Sequence, residues 1–334
     1  MAIKSYKGFD KNLRCRDFQY KIGGIYEMDG EIKVCSRGFH ACESPFDVFD
    51  YYTMIDSRFC EVEQDGNISK EDRRTKICSS KIKIKTELKL ADMINLGIEW
   101  LKEITLPEKI KTSIKDNSSG NYAQIGSSGD GAKIGSSGNN AQIGSSGNNA
   151  KIGSSGYDAK IGSSGYDAQI GSSGYDAKIG SSGYDAQIGS SGNNAQIGSS
   201  GNNAKIGSSG NNAKIGSSGD GAKIGSSGNN AKIGSSGNNA KIGSSGDGAK
   251  IGSSGNNAKI DSTGKDCVIM CAGINSVAKA SKGSWITLSE WSYSEGKQRY
   301  IPICVKTEFV DGEKIKADTY YSLKGGVFVE WIND

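Results

Sequence analysis

The stretch AKIGSSGNNAQIGSSGNNAKIGSSGYDAKIGSSG, Ala132 to Gly165, repeats one nine-residue phrase with small changes. Aligned on its Ala, the phrase keeps perfect register from Ala123 to Ala258, giving sixteen Ala-x-Ile triplets in which x is Lys or Gln. GSSG nearly always follows. Apolar residues at i and i+2 around a polar one are a strand signal, because side chains alternate between the two faces. The hexapeptides GSSGNN, GSSGDG and GSSGYD between triplets are turn formers, since Gly and Asn accept positive φ at little cost. A three-residue strand with a turn cannot stand alone, but stacked on copies of itself it forms a parallel β-solenoid. Two nonapeptides per coil suit the thin Ala/Ile layers; a three-sided coil of 27 residues is the alternative.

The phase continues into Cys267-Val268-Ile269, Ser276-Val277-Ala278 and Trp285-Ile286-Thr287, and backward to Gly120 and Ile114. The expected solenoid therefore spans 112–287, a rod on the order of 45–50 Å at about 4.8 Å per coil. A flexible Gly/Ser linker has no use for Ile at every ninth position. A calcium-binding roll needs a regular GGxGxD, whereas here the corresponding positions vary among Asn, Gly and Asp.

Gly reaches 48 of 334 residues while Pro stops at three, which argues against a polyproline stalk. The net charge is +4, and between Asn121 and Ile260 eleven Lys and seven Asp give 11 − 7 = +4, so the flanks are neutral together. Eight Cys without a CxxC pair, and a single His, leave no metal-ligand pattern and imply no cofactor for the repeat. No apolar run of the length of a membrane span and no signal-type N-terminus are present. The expectation is a reduced, soluble, cytoplasmic protein without a membrane partner.

The residue between Ala and Ile must point outward. It forms Lys/Gln ladders that end in seven consecutive Lys: Lys205, Lys214, Lys223, Lys232, Lys241, Lys250 and Lys259. Rows about 5 Å apart on each of two faces suit an acidic protein surface or the phosphates of a nucleic acid, and they also keep a repetitive β-face soluble. Tyr157, Tyr166, Tyr175 and Tyr184, each followed by Asp, replace Asn in one block. In a two-sided coil they make two stacked pairs, one at each turn edge, and exposed Tyr is a contact anchor. These Lys and Tyr are the candidate partner-binding residues, with a protein complex or a nucleic acid left open as partner.

Residues 1–110 read as an α+β unit, with strands in IKSYKGF and RFCEVEQDG. A short helix in SPFDVFDYYTMI is expected to be capped by Ser44, and a second helix lies in ELKLADMINLGIEWLKEI. With SRGFHACESPFDVFDYY, Ser36 to Tyr52, the chain resembles a family of phage and mobile-element proteins of low-GC Gram-positive bacteria. Its members join a GFHAC-type N-terminal domain to short-period repeats and a small β-rich tail, and the resemblance implies a phage or prophage setting. A second resemblance is to ADP-ribosyltransferase-like folds, through GFHAC before a helix and the ExE of Glu61-Val62-Glu63. It implies Arg14 or Arg37 on dinucleotide phosphates, Glu63 on the ribose, His40 on the sugar, and Tyr51 or Tyr52 on nicotinamide. The STS strand of the arginine-modifying members is absent. Cys42 beside His40 is a nucleophile arrangement with no third orienting group in sight.

Residues 288–334 read as a β-meander with turns at VDGEK and KGGVF, a cap over the last coil or an oligomerising module. The fold class expected is mainly β, a nonapeptide solenoid between an N-terminal α+β domain and a C-terminal β-module. The function expected is non-enzymatic binding of a macromolecule, a host defence complex or nucleic acid, with inhibition as its purpose. The alternatives are an ADP-ribosyltransferase-like enzyme in the N-terminal domain, with the solenoid as spacer, and a virion fibre component.

Overall fold

The computed structural model describes residues 2–34, 36–53, 57–70, 75–105 and 120–332. The chain divides into two compact units, Met1–Trp100 and Leu101–Asp334.

In the second unit sixteen four-residue strands, β8 (Gln124–Ser127) to β23 (Lys259–Ser262), follow one another at nine-residue steps. Even-numbered strands stack in one parallel sheet and odd-numbered strands in the other, so each coil holds two nonapeptides and spans eighteen residues. The register is exact in chemistry as well as geometry: Lys160 pairs with Lys178, Ile161 with Ile179, Gly162 with Gly180. The two-sided coil is the one formed. Within a strand such as Lys214–Ser217, Ile and Ser are buried while Lys and Gly face outward. The interior is therefore Ala, Ile and the first Ser of each GSSG, not Ala and Ile alone. Fourteen of those Ser hydroxyls, from Ser145 to Ser262, are buried without a hydrogen-bond partner.

Two backbone demands explain the turns. The residue before each Ala adopts positive φ, from Tyr122 (60°) through Asp158 (53°) and Gly221 (69°) to Asn257 (54°). That requirement favours Asn, Asp or Gly, which fill the place in every repeat after the first. The second Gly of GSSG passes against the coil before it; a Cβ on Gly201 would strike the carbonyl oxygen of Gly183. The first residue after GSSG, where it is Asn or Asp, accepts the amide one coil on, as Asn139 Oδ1 does from Tyr157 N at 2.9 Å.

The nine-residue spacing breaks once. Trp285 pairs with Val268 and Ile286 with Ile269, so Ser284, not Trp285, occupies the Ala position. Ser284 is buried and its hydroxyl accepts from Cys267 N at 3.1 Å. Constant spacing would have turned Trp285 inward and Ile286 outward, since a one-residue slip exchanges the faces. The apolar side chain decides. At the other end, Ile114 and the rest of 112–119 lie outside the described residues.

The tail is not a meander. β26 (Trp285–Ser294) and β27 (Arg299–Phe309) form a hairpin that extends the even sheet; β28 (Tyr321–Lys324) and β29 (Val327–Glu330) form another on the odd sheet. The VDGEK segment crosses between the sheets instead of closing a hairpin, and its Val310 and Ile315 plug the interior. KGGVF is a hairpin turn, with positive φ at Gly325 and Gly326. Glu290 joins the two hairpins by accepting both of those amides, at 2.8 and 2.9 Å. The last strand of each sheet of the solenoid proper is thus covered, which protects its edge.

The first unit is a five-stranded antiparallel sheet in the order β4 (Ile25–Glu27), β7 (Lys76–Leu88), β5 (Phe39–Cys42), β1 (Ile3–Phe9), β6 (Arg58–Lys70), closed by pairing of β6 with β7. A two-residue turn joins β2 (Arg14–Cys15) to β3 (Phe18–Gln19). The expected SPFDVFDYYTMI helix is only a 3₁₀ turn, Phe46–Asp50; Ser44 is buried without a hydrogen-bond partner and caps nothing. Met54 and Ile55 lie outside the described residues. The turn's value is packing: Phe49 meets Phe59 edge-on at 5.4 Å. Helix α1 (Leu90–Thr105) begins later than its apolar pattern suggests, because Glu87 and Leu88 still belong to β7. Asp92 caps it, accepting from Lys89 N at 2.9 Å.

Candidate functional site

The solenoid's outward residues fall on two faces. Lys160, Lys178, Lys214, Lys232 and Lys250 line the even sheet and are exposed; Lys205, Lys223, Lys241 and Lys259 lie on the odd sheet. The seven Lys thus fall on two faces, as the two-strand coil implies. Lys205 is 6% exposed, which corrects its reading as an outward contact. Lys259 also departs from the pattern: its ammonium lies 4.3 Å from the Tyr320 ring and 4.5 Å from Trp331, beneath the tail. Beside the even-sheet Lys column runs a lane of glycines, Gly126 to Gly252, with open space where a side chain would stand. Sterics do not require Gly there, since Met270 occupies the corresponding place in β24 (Val268–Cys271). Column and lane bound a groove of about 1320 Å³.

The Tyr block forms the two expected pairs. Tyr157 stacks on Tyr175 at 5.4 Å and 13°, and Tyr166 on Tyr184 at 5.4 Å and 12°; all four are exposed. The pairs occupy opposite turn edges, and their neighbours differ. Three residues after Tyr157 and Tyr175 come Lys160 and Lys178; after Tyr166 and Tyr184 come Gln169 and Gln187. The sequence reading stressed Lys205 to Lys259 and overlooked the two Lys that share coils with the rings.

Tyr at these places has a structural cost. Asn139 and Asn148 give their side-chain oxygens to Tyr157 N and Tyr166 N, and Asn193 and Asn202 do the same for Asn211 N and Asp220 N. Tyr has no oxygen within reach of that amide, so the ladder lapses across the block for Tyr175, Tyr184, Asn193 and Asn202.

In the first unit a cavity of about 940 Å³ is lined by His40, Tyr51 and Tyr52 together with Lys7, Cys15 and Arg16. Burial, and then the charges of Lys7 and Lys76, push the His40 pKa down to about 4, so the imidazole is neutral near pH 7. The other residues of the dinucleotide arrangement are elsewhere. Glu63 is paired with Lys85 at 2.7 Å on the far side of β1 and does not line the cavity. Arg37 spends its guanidinium on the carbonyls of Glu31 and Asp29, at 3.0 and 2.7 Å, and Arg14 hydrogen-bonds Gln19 at 3.0 Å. Cys42 is buried on β5. The ExE and GFHAC stretches are thus separate pieces of sheet. Lys7 and Cys15, which sequence alone did not single out, meet only because β1 and the β2–β3 turn fold together.

Among the described residues no helix is long and apolar enough to cross a membrane, and no three His, Cys, Asp or Glu side chains gather as a metal site would need. Neither a curated protein nor a solved structure matches the chain. Residues 3–96 match a family described as a domain of unknown function (DUF7666), so the first unit is similar to that family.

Proposed function

We propose that the chain is a non-enzymatic interaction protein whose solenoid engages a protein partner through the Tyr157/Tyr175 pair and the neighbouring Lys160 and Lys178. The carrying observation is that the Tyr block gives up four ladder hydrogen bonds to expose four rings. A repeat that breaks its own rule at a cost in stability does so for its surface. A protein partner fits better than nucleic acid for two reasons. Rings already stacked at 5.4 Å leave no slot for a base, which needs roughly 7 Å between flanking planes for stacking on both sides. Asp158 and Asp176 beside the rings repel phosphates. The Lys column and glycine lane of the even face extend the contact toward an acidic, flat surface. The GFHAC resemblance supports a phage or mobile-element setting, and with it a host defence complex as the partner inhibited.

The test is affinity capture from host-cell lysate, with and without nuclease, using the intact protein and three variants: Tyr157→Asn with Tyr175→Asn, Tyr166→Asn with Tyr184→Asn, and Lys160→Gln with Lys178→Gln. A discrete nuclease-resistant protein lost with the first pair, and weakened with the Lys pair, is the expected result. A nuclease-sensitive catch would assign the rod to nucleic acid. Capture unchanged in every Tyr variant would sink the proposal.

A further inference from the structure

Lys7 is the least expected residue of the first unit. It lies in the middle of β1 between Tyr6 and Gly8, 4% exposed, although its side chain ends in an ionisable amine. Its ammonium donates to the His40 carbonyl at 2.8 Å and to Cys15 Sγ at 3.5 Å, and lies 5.5 and 5.8 Å from the Phe9 and Tyr20 rings. Among the described residues no carboxylate pairs with it, although a buried ammonium without a counter-charge is costly. Desolvation accordingly pulls its pKa down.

Lys7 is not sealed in the core, for it lines the cavity of about 940 Å³. An ammonium has three N–H donors, and the carbonyl and the thiol take two. Cys15 is occupied from the other side by Tyr52 Oη, which donates to its sulfur at 2.9 Å. The adjoining wall is aromatic: Phe18, Tyr20 and Tyr26 meet edge-on with centroids 4.8 to 5.4 Å apart, and Phe18 remains 48% exposed. A buried amine with a spare donor, beside an aromatic wall in an open cavity, is the complement of a molecule with one anionic end and a flat body. Arg16 and Lys76 also line the cavity, against Asp17 and Glu27, so that with Lys7 the lining sums to one positive charge. A carboxylate therefore fits, and a phosphate dianion would leave one charge uncompensated.

We propose that this cavity binds a small aromatic carboxylic acid, its carboxylate on Lys7 Nζ and its ring against Phe18, Tyr20 and Tyr26. The site is independent of the solenoid's partner surface and gives the first unit a small-molecule function of its own.

Isothermal titration of the full chain with 2-naphthoate, 2-naphthamide and 2-naphthyl phosphate separates charge from shape. Naphthoate binds, and the isosteric amide is weaker by roughly ten- to a hundredfold, the worth of a charged hydrogen bond. The phosphate is also weaker than naphthoate. Phe18→Ser, on the exposed two-residue strand β3, weakens naphthoate without disturbing the fold, and Lys7→Met removes the preference for the acid over the amide. Equal binding of acid and amide, tighter binding of the phosphate, or no binding of naphthoate at millimolar concentration would each overturn the assignment.

Discussion

The rings of Tyr157 and Tyr175, one coil apart, stack at 5.4 Å and 13° where every other coil of the perfect repeat carries Asn or Asp. The exchange gives up an oxygen that would hold the next coil's amide. Replacing all four Tyr by Asn restores four hydrogen bonds, worth about 0.5–1.5 kcal/mol each and less at an exposed edge. It removes two ring pairs worth about 0.5–1.5 kcal/mol each. The thermal midpoint of the solenoid is expected to hold or rise in this variant, measured by circular dichroism. A clear fall would make the rings structural.

The two glycines of an even-strand GSSG answer differently to the same substitution. Gly201→Ala drives a Cβ into the Gly183 carbonyl and is expected to cost about 3 kcal/mol or more. Gly198→Ala enters open space on a strand and is expected to be neutral or to stabilise by about 0.5 kcal/mol through lost unfolded-state entropy. Denaturant melts of the two single variants decide it.

Inside one strand, Ile206 and Ser208 are 2% and 0% exposed. Ile206→Ala leaves a cavity between layers that cannot close, at about 2–5 kcal/mol. Ser208→Ala removes a buried hydroxyl without a partner, and stability is expected to stay level or increase. The same melts measure both.

His40 makes the first unit sensitive to acid. Its pKa falls from 6.5 in the unfolded chain to about 4 in the folded one, so between those values the unfolded state binds more protons. The contribution is complete above pH 6.5 and is lost as the pH drops toward 4. Hydrogen exchange of β5 in the full chain, corrected for intrinsic rates, is expected to quicken across that window. His40→Gln should flatten the dependence.

Much of this was legible in the sequence because the repeat states its own constraints. Ala-x-Ile at nine-residue steps names the buried face, and the residue before each Ala names the positive-φ position. With two strands per coil, the Tyr pairing follows arithmetically. Where the repeat degenerates, arithmetic fails: at Ser284 the need to bury Ile286 outweighs the spacing, and at VDGEK a turn signal becomes a crossing because two sheets, not one, need a cover. In the first unit Ser44 looked like a cap, but the chain there forms too short a helix to use one.

The amino-acid order by itself determined the solenoid, its register and its outward chemistry, since each unit stacks on the next unit but one, eighteen residues along the chain. Only the tertiary structure decided which residues meet from afar. It buried Lys205, separated Glu63 from His40, and brought Lys7 to Cys15 and Tyr52. Those relations depend on how antiparallel strands of unrelated sequence close on one another. The burial of the Lys7 amine beside no carboxylate leaves no mark in local pattern.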